Sequence, residues 1–107
     1  MKGAAKIEVM FRKEKSGDFK DTIFAIFPYE IADLEGNVMS YQNIGQHSAV
    51  TFDIAMKHSV PALPKEYKEL KKEMETCYDY EIKIIKRRNY SKYFALFSDI
   101  LKKHSQF

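Results

Sequence analysis

The chain has 107 residues, with 18 Lys or Arg against 15 Asp or Glu and a formal net charge of +3. That length holds one domain, and an apolar content of 45% excludes a disordered tail protein. A single Cys excludes an internal disulfide framework. A pI near 8.9 excludes an acidic DNA mimic and falls short of a dedicated nucleic-acid binder.

No apolar run approaches the roughly 18 residues a membrane span needs; the best, Thr22 to Phe27, is far shorter. Lys6 and Glu8 interrupt any apolar core after Met1–Ala5, so a secretory signal is not expected. With the lone Cys77, this points to a reducing cytoplasm. Residues 1–5 are expected to form a flexible N-terminus.

Lys6 to Lys13 alternates, with Ile7, Val9 and Phe11 on one side and Glu8, Met10 and Arg12 on the other. That is a half-buried strand. Lys15-Ser16-Gly17-Asp18 supplies a turn. Asp21 to Phe27 is apolar on both faces, so it should be a central strand covered on both sides. Pro28 is expected to end it, because proline cannot donate to the ladder. Tyr29 to Glu35 reads as a loop, Glu35-Gly36-Asn37 as a turn and Val38 to Asn43 as a third strand. Ile44 to His47 breaks that strand. Ala49 to His58 is ambiguous: Val50-Thr51-Phe52 suggests strand, while Phe52, Ala55 and Met56 fit a short helix capped at Ser48.

Pro61 to Pro64 is a stiff link, with Pro64 suited to the first turn of a helix. Tyr67, Leu70, Met74 and Cys77 then form one helical stripe among Lys and Glu. Cys77 is expected to be a small core residue at the helix end. Asp79 to Arg88 reads as the last strand. After Asn89-Tyr90, Ser91 is a candidate cap, and Phe94, Phe97, Ile100 and Leu101 recur at helical spacing. Lys102, Lys103 and His104 suit the negative pole of that helix.

These elements predict an α+β domain with a mainly antiparallel four-stranded sheet. One amphipathic helix packs on one face. The C-terminal helix covers the other face, or a partner does. Residues 6–88 are the expected core and 89–107 a helical extension.

Three stretches resemble a family of small uncharacterised bacterial proteins carried on plasmids, phages or integrative elements. The first is Glu8 to Asp18 followed by Ile23-Phe-Ala-Ile-Phe-Pro28. The second is Met39-Ser-Tyr41 with Gly45-Gln-His47. The third is Pro61-Ala-Leu-Pro-Lys-Glu-Tyr67 running on to Tyr78 and Arg87. This last is similar to the family's Pro-Ala-Thr-Pro-x-Glu-Tyr helix start. The chain departs from the pattern at Leu63, where Thr is usual, and at Cys77, where Gly is usual. Its first turn is also longer, with Phe19 and Lys20, and residues 89–107 are additional. The resemblance covers roughly residues 6–88 and implies a cytoplasmic, mobile-element setting but no activity.

Candidate chemistry is sparse. Gly45-Gln46-His47 follows a strand, in a loop where sites often lie. His47 is a candidate acid, base or ligand. Gln46 and Tyr41 are weaker candidates, and Ser48 is the adjacent hydroxyl. The competing and favoured reading is that Gly45 permits an unusual backbone angle while Gln46 and His47 tie the loop. Three His and one Cys at these spacings match no metal pattern, so no metal is expected. No phosphate loop or nucleophile motif is present, and no cofactor is expected.

Lys83, Lys86, Arg87, Arg88, Lys92, Lys102 and Lys103 face one acid, Asp99, across residues 83–104. That end carries +6 and the rest of the chain −3. Tyr93 and neighbouring aromatics interleave with the cations, as a nucleic-acid or partner surface requires. The leading expectation is a non-catalytic binding or accessory protein acting through protein–protein contacts, with an unidentified partner or as a homodimer. The alternatives are a nucleic-acid binder using Lys83–Arg88 and the C-terminal helix, and a small enzyme around Gly45-Gln46-His47. No membrane contact is expected.

Overall fold

A computed structural model describes residues 6–42, 46–78 and 81–105, with residues 46, 47 and 78 described by their backbone. The chain runs β1 (Lys6–Glu14), β2 (Ile23–Ile31), β3 (Val38–Gln42), β4 (Gln46–Val50), α1 (Phe52–Lys57), β5 (Ser59–Pro61), α2 (Pro64–Tyr78), β6 (Glu81–Ile84) and α3 (Tyr90–His104). The fold is α+β with a mainly antiparallel sheet, as the pattern of elements predicts.

Among the described residues the sheet has six strands in the order β4-β3-β2-β1-β5, with β6 also on β1. Two of them escaped the sequence reading. β5 is only three residues long and contains Pro61, opposite Arg12. Proline is tolerated there because β5 is an edge strand. β4 takes in Gln46 and His47, which were expected in a loop; they pair with Gln42 and Tyr41. The ladder to β3 overrides the weak strand preference of these polar residues. β6 runs parallel to β1 along Lys6–Val9, whereas β5 runs antiparallel along Arg12–Glu14. The two short strands therefore share one edge of β1.

Pro28 does not end β2, which continues to Ile31. The β2–β3 register shifts between Ile26 and Ile31, the irregularity at which a residue without an N–H fits. The turn that follows is organised by Asp33, whose Oδ1 accepts from the backbone N–H of Glu35 and of Asn37 at 3.0 and 3.1 Å. Gly36 takes φ +85° there.

Alternation splits the core in two. On one face Val9, Phe11, Ala25, Phe27 and Tyr41 pack against Leu70 and Met74 of α2. On the other, Met10, Phe24, Ile26 and Val38 pack against Phe52 of α1 and Tyr93 of α3. β1 is thus buried on both faces. Met10, expected on a solvated side, is covered because α1 and α3 lie over it.

The helices differ from expectation at their ends. In the ambiguous segment the short helix forms: Ala49 and Val50 close β4, Thr51 rather than Ser48 is the N-cap, and Phe52, expected in a strand on one reading, opens α1. α3 is capped by Asn89 rather than Ser91, its side chain accepting from Lys92 N–H at 3.1 Å. α2 does begin at Pro64, but Cys77 is exposed. The buried stripe stops at Met74, one turn earlier. The expectations for residues 1–5, for Gly45 and for the start of the last strand at residues 79–80 lie outside the described residues.

Candidate functional site

The basic C-terminal quarter is built around Arg88. Its guanidinium carbon lies 3.7 Å from the ring centroid of Phe52 and 3.7 Å from that of Tyr93. Tyr90 lies at 4.7 Å. The residue is 9% exposed, and its Nε and Nη1 have no hydrogen-bond partner among the described residues. Ring faces carry partial negative charge, so the sandwich offsets part of the lost hydration. Arg88 therefore fills the seam between α1 and α3, and its cation does not face a partner.

α3 is tied down at three further points. Tyr93 Oη donates to the Gly36 carbonyl. Asn89 N–H donates to Tyr29 Oη at 2.7 Å. Tyr90 Oη donates to Asp53 Oδ1 at 2.9 Å; burial, and then this bond, hold the Tyr90 phenol above its ordinary value. Gly36 is required for the first of these, since a Cβ there would clash with Tyr93 Oη and crowd the Phe97 ring.

Lys92 is also engaged. Its Nζ donates to Glu8 Oε1 at 2.7 Å and sits 4.2 Å from the Tyr29 ring centroid. The Glu8 hydrogen bond raises its pKa. The expected contact set therefore divides. Arg88 and Tyr93 are buried and Lys92 is paired, while Lys83, Lys86, Arg87, Lys102 and Lys103 stay exposed. Lys83 is on β6, Lys86 and Arg87 precede α3, and Lys102 and Lys103 close it. A 15-residue helix is roughly 22 Å long, so the exposed cations form separate groups rather than one patch. Lys103 also pairs with Asp99 at 3.1 Å.

Of the enzyme candidates, Tyr41 and His47 are opposite each other in the β3–β4 ladder. Tyr41 is fully buried and donates its phenol to Glu73 of α2. Ser40 and Ser48 hydroxyls lie 3.1 Å apart across the β3–β4 ladder. The Gln46 and His47 side chains lie outside the description. Among the described residues no group of three or more His, Cys, Asp or Glu could hold a metal, and no helix is long and apolar enough to cross a membrane.

What the sequence reading missed is the outer face of α3. Phe94 is 58% exposed, Tyr90 45% and Leu101 41%, and Ile54 of α1 is 58% exposed. Phe94 and Leu101 were expected in the core stripe. The inner face is instead Tyr93 and Phe97, fixed by the Tyr93–Gly36 bond and the Arg88 sandwich. Apolar residues at 90, 93, 94, 96, 97, 100 and 101 make a stripe wider than one sheet face covers. That width was the available signal. Comparison with protein-family models, with curated proteins and with solved structures returns no match.

Proposed function

We propose that this protein is a non-catalytic binding module that acts through protein–protein contact, and that the outer face of α3 makes the contact. One observation carries the reading: Tyr90, Phe94 and Leu101 stand exposed at spacings of four and seven, so they form one apolar strip along α3, beside the Tyr93–Phe97 stripe that packs into the core. Large apolar groups grouped on a surface mark interaction sites. The aromatic rings continue from Tyr93 to Phe94 to Tyr90 with centroids 5.1 and 6.2 Å apart. The partner's contact is therefore backed by a fixed aromatic layer. The cytoplasmic, mobile-element setting is part of this proposal and rests on the sequence resemblance.

The test is the double variant Phe94→Glu, Leu101→Glu, with a photo-crosslinking residue placed separately at position 94. Surface substitutions away from the core change stability by about 0.5 kcal/mol or less. The double variant should therefore keep the wild-type urea midpoint while failing to co-purify with the protein that the position-94 crosslinker captures, whether a second copy or another protein. A large loss of stability would make the stripe part of the fold. Absence of any protein crosslink from position 94 would reject the reading.

A further inference from the structure

The sheet face beneath α1 and α3 is not covered to its end. Beyond α1 the strands β1 to β4 and the helix line a cleft of about 400 Å³ that is open to solvent on one side, with a volume in the range of small-molecule sites. Its floor is the Phe24 ring, which is 4% exposed. Ile54 and Ala55 of α1 form an apolar wall, and Ser48 and Gln42 supply neutral polar groups. Ser40 also lines it, with its hydroxyl engaged by Ser48. Glu14 and His58 lie together at one end, because the β1–β5 register pairs Glu14 with Ser59.

The charge in this cleft is one-sided. Among the described residues no Lys or Arg lines it. Arg12 shares the strand face with Glu14, but its guanidinium donates to Ser59 Oγ at 2.9 Å and to the carbonyls of Ser59 and Met56 at 2.8 and 3.2 Å. Among the described residues Glu14 has no ion-pair partner. A carboxylate beside an apolar floor, with hydroxyl and amide acceptors around it, suits a donor-rich cation with an apolar body. It disfavours an anion.

We infer that this cleft binds a small organic cation, a primary ammonium on an apolar body, with the ammonium on Glu14 and the body over Phe24 and against Ile54. The inference is independent of the α3 surface. It is tested on the full chain by amide-resolved NMR titration with phenethylamine, against the neutral phenethyl alcohol and the anionic phenylacetate. The amine should give saturable shifts at Ser40, Gln42, Ser48 and His58. The alcohol should bind about tenfold more weakly, since one charge-assisted contact is worth roughly that factor, and the acid should not bind. Glu14→Gln should weaken the amine about tenfold and leave the alcohol unchanged. Glu14→Asp, which retracts the carboxylate by one methylene, should do so more mildly and serves if the first variant does not fold. Equal binding of all three compounds, no saturable shift with the amine, or indifference to both substitutions overturns the inference.

Discussion

Arg88 lies among Phe52, Tyr90 and Tyr93 with two N–H-bearing nitrogens unpartnered. Its stem and flat guanidinium fill space that the core needs filled, while the orphaned polar atoms cost stability. The two effects separate by substitution. Arg88→Ala should lose about 2–4 kcal/mol, because it empties the seam and removes the ring contacts. Arg88→Met, which keeps the volume without the charge, should stay within about 1 kcal/mol of wild type, as apolar replacements of buried charges often do. Urea unfolding measures both; an Arg88→Met loss as large as that of Arg88→Ala would make the cation itself the stabilising part. In the sequence Lys86, Arg87 and Arg88 read as one cationic run. Tyr90 and Tyr93 are close to it in sequence, but nothing in a linear pattern separates the buried member, because Phe52 closes the sandwich from 36 positions away.

The start of α2 illustrates how an element is fixed by local chemistry and then by a tertiary contact. Pro64 occupies the first turn, and Glu66 Oε1 accepts from the Leu63 N–H at 2.8 Å, half of a capping box. Its other oxygen accepts from Lys13 Nζ of β1 at 2.6 Å. The Leu63 bond first, and Lys13 second, hold the Glu66 carboxyl below its ordinary value of 4.5. A depressed folded pKa gives stability that is present above the unfolded value and lost as pH falls through the folded one. The wild type should therefore lose part of its stability below about pH 4.5. Glu66→Gln should be less stable at neutral pH, and its difference from wild type should shrink on acidification. Urea midpoints across that range check this; a constant difference would exclude the linkage. The sequence shows Pro64 and Glu66 at the right spacing. It does not show Lys13, 53 positions away, nor that burial of the α2 stripe stops at Met74 and leaves Cys77 exposed.

At the scale of the molecule, one sheet lies between α2 and the α1–α3 pair, and the extents of 45 × 40 × 23 Å reflect that layering. α3 closes the second core, where Tyr93 and Phe97 cover Met10, Phe24 and Ile26 together with α1. Deleting residues 89–107 should therefore expose that face and abolish cooperative unfolding, rather than yield a smaller stable monomer. Thermal melting followed by circular dichroism decides this; a sharp transition in the truncated chain would make the helix a true appendage. The charge asymmetry has a related structure. The C-terminal quarter carries a net +6 against −3 elsewhere, but its Lys92 is paired with Glu8 of β1, and Arg88 is withdrawn from solvent.

By itself the sequence determined the class of object: one α+β domain, the two-sided apolar β2, the helix from Pro64, and an amphipathic C-terminal helix. These follow from periodicity and turn chemistry, which are local. The tertiary structure alone decided which side of α3 turns inward. It also placed β5 and β6 on one edge of β1, carried β2 through Pro28, and buried Arg88 while Lys86 and Arg87 stayed in water. Each of these outcomes depends on groups far apart in the chain, and hydrophobic pattern constrains a face without naming what packs against it.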